Sequence, residues 1–223
     1  MKKVNHYILK GEIELLSGMR IGGSEDVLQI GGTDLTCIKD PSNGKPYIPG
    51  SSIKGRIRSG LEKRLGRDGK KLGEPCGCSR ADCPICLIFG PHMNAAHNLG
   101  PTRIIFRDAH MLSEFVIENK TETGNNRLTG AAQSPRTVER VATGAKFALE
   151  IAMQEFDIDG QFEYKDSEGG KLKGIDAMLE VVDHGLWEME QMGIGAGTGK
   201  GYGQIKIHCG DFKKSERTRM RSA

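Results

Sequence analysis

The chain opens on alternation. Tyr7, Leu9, Ile13 and Leu15 share one parity with polar residues between them, which predicts a strand with one buried face. A glycine-bearing stretch from Gly18 to Pro49 follows, with IGG at 21–23 and again at 30–32. The period then changes. Ile53, Ile57, Leu61 and Leu65 recur every four residues, so GSSIKGRIRSGLEKRLG reads as an amphipathic helix with Ser51 or Ser52 as N-cap. Residues 66–100, rich in Gly, Cys, Pro and Asn, read as an insertion. TRIIFRDAHM is strand-like, and residues 114–135 are polar and turn-rich. Phe147, Leu149, Ile151 and Met153 alternate again. Ile175, Met178, Leu179, Val182, Leu186 and Met189 make a second helical stripe, and Ile205 and Ile207 mark a closing strand. Strand, helix, strand, strand, helix, strand is an α+β order of ferredoxin-like type, here with insertions after the first helix and between the middle strands.

At 223 residues the chain is expected to form one domain carrying those insertions. No apolar run approaches the roughly 18 residues of a membrane-crossing helix. Glu12 and Glu14 interrupt the N-terminal stretch where a signal peptide has its apolar core, so a cytoplasmic location is expected. In a reducing compartment, clustered cysteines indicate metal rather than disulfides.

The net charge of +3 hides opposed regions. Residues 1–72 hold 14 basic and 8 acidic side chains, residues 73–209 hold 13 and 19, and the tail from 210 to 223 holds 5 and 2. Basic ends suit an anionic partner such as nucleic acid. The tail, without apolar periodicity, reads as solvated. The acidic stretch Phe147–Glu190 suits a basic neighbour subunit better than RNA.

Three segments carry candidate chemistry. Glycines at 193, 195, 197, 199, 201 and 203 all fall on odd positions, which excludes G-x-G-x-x-G, and Gly201 follows Lys200 where a P-loop has Ser or Thr. What remains is backbone able to approach a phosphate chain, at Gly197, Gly199 and Gly201, with Lys200 as cation and Tyr202 as a stacking face. On the first helix Lys54, Arg56 and Arg58 oppose the macrodipole, so they point to phosphate contact alongside Ser51 and Ser52, on the face opposite the apolar stripe. Cys76-x-Cys78-x4-Cys83-x2-Cys86 offers four thiolates for a tetrahedral zinc, with His92 or His97 as substitute ligands; free thiols or a redox pair are the alternatives. Asp34, between glycines and the basic helix, is a candidate ligand of a divalent cation, or else a turn residue. Asp108, Glu118, Glu122 and Glu139 are further carboxylates that the sequence does not rank.

These residues resemble the RAMP superfamily of CRISPR proteins, and most closely the repeated backbone subunits of type III-A (Csm) interference complexes. The segments IGGTDLTCIKDPSNGKPYIPGSSIKGRIRS, CPICLIFG, RLTGAAQSPRTVERVATGAKF and GIGAGTGKGYGQIKI carry the likeness, from residue 30 to 207. The resemblance implies a modified RNA-recognition fold forming a single RAMP domain over 1–223, with a Cys-rich insertion at about 66–100 and a thumb hairpin within about 114–145. It implies copies stacked into a filament with guide RNA, target single-stranded RNA and other type III effector subunits as partners. It places the thumb on Asn125–Val141 with Arg127, Arg136 and Arg140, guide contacts on Ser51–Arg58, and target cleavage on Asp34. That cleavage uses Mg²⁺ or Mn²⁺ and leaves a 2′,3′-cyclic phosphate. Zinc occurs in the corresponding insertion of some members. Many members carry His before the first IGG. This chain has Arg20 there, which binds phosphate but is no general base. The alternatives are a non-catalytic RNA-binding scaffold and a stand-alone guide-processing endonuclease.

Overall fold

The computed structural model describes residues 1–22, 35–66, 69, 73–93, 96–165 and 168–215. In chain order its elements are β1 (Lys3–Leu15), β2 (Tyr47–Ile48), α1 (Gly50–Leu65), α2 (Pro84–Phe89), β3 (Ile104–Phe106), β4 (Ala109–His110), β5 (Ile117–Asn125), β6 (Ala132–Val141), β7 (Lys146–Phe156), β8 (Glu163–Lys165), β9 (Lys171–Lys173), α3 (Gly174–Met192), β10 (Ile205–Cys209) and β11 (Lys213–Lys214).

The alternation at the N-terminus produces the spine of the sheet. Leu9, Ile13 and Leu15 of β1 are buried on one face, and β1 pairs antiparallel with β7 on one side and with β10 and β11 on the other. Ile13 stands opposite both Phe147 and Ile207. β3 completes the order β10-β1-β7-β3. With β1, β3, β7 and β10 as the first to fourth strands, the sheet reads 4-1-3-2, the ferredoxin-like arrangement expected from the element order.

α1 and α3 cover one face. Ile53, Ile57 and Leu61 are fully buried, as are Ala177, Met178, Val181, Val182 and Met189, so the two stripes read from the sequence form the helix–sheet core. The N-cap differs from expectation. α1 begins at Gly50 after Pro49, with Ser51 and Ser52 already inside its first turn and no capping bond from either. The orphan Gly50 N–H donates instead to Asp108 Oδ1 at 2.7 Å, a carboxylate from the β3–β4 connection. Asp108 is thereby assigned to helix capping.

The Cys-rich segment is more than an appendage. Every residue of α2 is buried, and Ile85, Leu87, Ile88 and Phe89 join the main core. Beneath this region Arg103 and Asp159 form an ion pair at 2.7 Å, with 0% and 1% of their side chains exposed. Arg103 also donates to the Leu99 and Pro101 carbonyls, and Asp159 accepts from the Phe156 N–H. A pair with its bonding capacity filled in this way costs about 3–5 kcal/mol to break by removing one partner.

The acidic stretch is partly neutralised by the chain itself. Glu150 meets Lys10, Glu163 meets Lys173, Glu188 meets Arg64 and Glu190 meets Lys206. Among the described residues no helix is long and apolar enough to cross a membrane.

Candidate nucleic-acid interface and metal centre

Strands β5 and β6 form a two-stranded hairpin that pairs with none of the other strands. Its β5 half is the segment that reads as polar and turn-rich; the structure makes it a nine-residue strand, so the hairpin begins at Ile117, eight residues before Asn125. At its root, Met19 and Val141 exchange backbone hydrogen bonds, and Leu35 forms a parallel bridge with Val138. The glycine loop closes the same junction: Ala196 N–H donates to Arg20 O at 2.8 Å and Gly203 N–H to Gly18 O at 3.0 Å. Gly195 and Gly203 both have positive φ, and a Cβ on either would strike backbone, the Arg20 carbonyl in one case and the Ile194 carbonyl in the other. These glycines serve chain packing. The N–H groups of Ala196, Lys200, Gly201, Tyr202 and Gly203 are spent on protein carbonyls and do not face outward. Gly197, Gly199, Lys200 and Gly201 remain the exposed side of the loop.

At this junction Glu122 gathers three donors. Tyr202 Oη donates to its carboxylate at 2.6 Å, Arg136 at 2.8 Å and Lys200 at 3.1 Å. The Tyr202 hydroxyl, then Arg136 and Lys200, hold the Glu122 carboxyl down at about 2. A recess of about 100 Å³ opens beside it, lined by Arg20, Leu35, Glu122, Arg136, Lys200 and Tyr202 among others. Arg20 Nε is buried there without a hydrogen-bond partner among the described residues. Among the described residues three cations around one carboxylate give the recess a positive balance, a setting suited to a phosphate. Tyr202 is not the stacking face expected of it. It is 4% exposed, with Lys120 Nζ 4.5 Å and Arg140 4.6 Å from its ring centroid. Arg140 is further paired with Glu118, and Glu139 accepts the Cys37 N–H and pairs with Lys39.

The helix cations behave differently. Arg58 is not on an outer face; 15% of its side chain is exposed. It bonds Glu62 at 2.9 Å, Cys76 O at 2.7 Å and Gly90 O at 3.0 Å, because the Cys-rich segment folds back along this flank of α1. Arg56 caps the C-terminus of α3, donating to the Gly193 and Met192 carbonyls and to Thr198 Oγ1. Lys54 is half-buried, and that burial, with Arg58 beside it, lowers its ammonium below the usual range. It has no ion-pair partner among the described residues. Ser51 is exposed and Ser52 half-buried. Arg127 and Leu128 stand at the hairpin tip, Leu128 at 97% exposure. Asp34 lies outside the described residues.

The four thiols converge. Cys76 Sγ is 3.9 Å from Cys83 Sγ and 3.7 Å from Cys86 Sγ, Cys78 Sγ is 3.7 Å from Cys86 Sγ, and all four lie within 4.8 Å of one another. Zn–S bonds of ~2.3 Å in a tetrahedron put sulfurs about 3.8 Å apart, whereas a disulfide needs ~2.05 Å. The set can therefore hold one metal ion. Hydrogen bonding from Cys86 pulls the Cys83 thiol down to about 5, and the same bond pushes Cys86 up. Neither histidine is needed: His92 is exposed, and His97 Nδ1 accepts the Leu99 N–H.

Glu122 was one of four unranked carboxylates, and Lys120 carried no signal. Arg136 lies 14 residues from Glu122 across the hairpin and Lys200 and Tyr202 lie 78 and 80 residues away in the glycine loop, and no local period marks them.

The pattern that defines the RAMP superfamily matches residues 12–206. A protein of Methanothermobacter thermautotrophicus named CRISPR system Cms endoribonuclease Csm3 is 37% identical, over 93% of this chain and 85% of its own. A protein of the same name from Methanocaldococcus jannaschii is also 37% identical, over 90% and 77%. Among solved structures, the Csm3–Csm4 subcomplex of the type III-A CRISPR-Cas interference complex matches with TM-score 0.57 and 27% identity, covering 97% of this chain and 90% of that one. A chain of the type III-B Cmr-β complex bound to cognate target RNA shares the fold, with TM-score 0.59 and 20% identity over 95% of this chain and 61% of its own.

Proposed function

The chain belongs to the RAMP superfamily, and on that premise we propose that it is the backbone subunit of a type III CRISPR ribonucleoprotein and an endoribonuclease acting on the target RNA. The observation that carries this reading is the convergence of Arg20, Arg136 and Lys200 on a recess that also includes Leu35, the residue following Asp34. The whole chain is read as one RAMP domain with a Cys-rich insertion and a thumb hairpin, working in the cytoplasm with guide RNA, target RNA, further copies of itself and other effector subunits.

In this reading Arg20, Arg136 and Lys200 hold the scissile or a neighbouring phosphate. Lys54, with Ser51 and Ser52, contacts guide phosphates, and Arg127 reaches RNA from the hairpin tip. Arg56, Arg58 and Arg140 act mainly through the fold, given their protein partners. Asp34 is the catalytic residue and the ligand for Mg²⁺ or Mn²⁺, which supplies charge neutralisation at the phosphate when bound. The ribose 2′-hydroxyl attacks the adjacent phosphorus and the 5′-oxygen of the next nucleotide leaves, so the product carries a 2′,3′-cyclic phosphate. Repetition along stacked copies gives cleavage at six-nucleotide intervals. The four thiols hold structural zinc, consistent with their tetrahedral spacing.

The test is Asp34→Ala in assembled complex with Mg²⁺. Target cleavage falls by at least about 100-fold while guide and target affinities stay within about twofold, as loss of a group that acts only in the transition state requires. Undiminished cleavage by that variant would leave the chain a non-catalytic scaffold. Cleavage of guide-precursor RNA by the isolated chain without metal would favour the guide-processing reading.

A further inference from the structure

A two-stranded hairpin has no stable orientation of its own, and this one stands apart from the sheet. Its direction is set at the root. The ladder runs in register from Ile117↔Val141 to Glu122↔Arg136, then shifts between Glu122 and Gly124. An irregularity of this kind bends and twists a strand pair, so the tip's direction depends on how the pair below it is held. Glu122 is the last regular residue of β5 before the shift. Its carboxylate holds Arg136 on the opposite strand and, at the same time, Lys200 and Tyr202 of the glycine loop. One side chain thus ties both strands to the loop that is itself fastened to residues 18–20.

We propose that Glu122 is a positioning residue: it fixes the angle of the β5–β6 hairpin over the recess through Arg136, Lys200 and Tyr202. Strand β5 runs three residues beyond Glu122, about 10 Å, before the turn that carries Leu128, so a 10° rotation at the root moves the tip by about 2 Å. Glu122 also holds two of the recess cations in place. Its removal therefore misaims them without removing positive charge. Binding and chemistry respond in opposite senses, because losing a carboxylate beside a phosphate site does not weaken RNA affinity.

The cleavage arm of the test rests on the proposed function; the second arm does not. In assembled complex, Glu122→Ala keeps target Kd within about twofold of wild type or tightens it. Its single-turnover rate falls about tenfold, and products spread to neighbouring bonds, as misplacement at the reacting centre predicts. Glu122→Gln keeps a bond to Tyr202 and recovers part of the rate. In the isolated full chain, Glu122→Ala speeds amide exchange across 117–141 by about tenfold or more and leaves α1 and α3 unchanged. Wild-type rate and product map, or a target Kd that rises in step with the loss of rate, would refute the positioning role, as would unchanged hairpin exchange. A wild-type complex that does not cleave removes the functional reading, while the exchange measurement still decides the clamp.

Discussion

Two insertions interrupt the same ferredoxin-like core, and the core treats them oppositely. The Cys-rich segment is taken into it. α2, PICLIF, is wholly buried, and Arg58 and Glu62 stitch α1 to the Cys76 backbone. The β5–β6 hairpin is held away from it. Ile117–Asn125 has no buried residue, and burial in β6 is confined to Val138, Glu139 and Val141 at the root. Apolar content decides the difference: four large apolar side chains in six residues drive α2 inward, while IENKTETGN has only Ile117, at the root, to pack against the core. The Cys-rich segment takes up one cation of α1, Arg58, through the Cys76 and Gly90 carbonyls, whereas the hairpin contributes Arg136 to an accessible recess.

The largest effect separates the two by metal. Cys83 is fully buried at the N-terminus of α2, with its carbonyl accepting from the Leu87 N–H, so the thiol cluster fixes where α2 enters the core. Cys83→Ser, or stripping with a strong chelator, lowers stability by on the order of 4 kcal/mol, roughly 10 °C in Tm for a chain of this length. Elemental analysis of the untreated protein finds about one zinc per chain. A metal-free chain with the same Tm would show that the apolar packing of α2 suffices alone.

How far the sequence foretold this follows the same division. Period 2 at Leu9–Leu15 and period 4 at Ile53–Leu61 mark elements whose burial is their reason for existing, and the sheet order follows from them. Strand β5 has no period to read, because pairing with β6 alone makes it a strand. Ser51 is the local choice for a cap, yet Asp108 supplies the acceptor from 58 residues away. Arg56 and Arg58 resemble phosphate ligands until their partners, carbonyls of residues 76, 90, 192 and 193, are known. The convergence of the cysteines needed no long-range information, since the four thiols lie within eleven residues of one another.

A smaller effect tests the polar anchoring of the hairpin. The Glu122 carboxyl sits at about 2 in the folded chain, below its ordinary value of 4.5. A carboxyl depressed in this way adds stability that is fully present above pH 4.5 and is lost as pH falls toward 2. Glu122→Gln removes that contribution, on the order of 1 kcal/mol for charge-assisted bonds at a partly solvated carboxylate. The stability gap between variant and wild type therefore stays constant above about pH 5 and closes on acidification. A gap independent of pH down to 2 would mean that the carboxylate charge contributes nothing to the anchor.

The smallest effect lies at the hairpin tip, where the comparison is sharpest. Leu128 is 97% exposed, and Arg127 beside it is exposed with no ion-pair partner among the described residues. Neither touches the core, so Leu128→Ser and Arg127→Ala each change the stability of the isolated chain by no more than about 0.5 kcal/mol. A leucine side chain left in water gains nothing from folding, and at the tip it is free to be covered by a partner in the complex. In the assembled complex the same two substitutions therefore alter target binding or cleavage. For Arg127→Ala, the slope of log Kd against log salt falls by about one. A tip that can be changed without consequence in both the free chain and the complex would make the hairpin an ornament, and no contact within the chain would then explain why an exposed leucine is carried at the end of a polar strand pair.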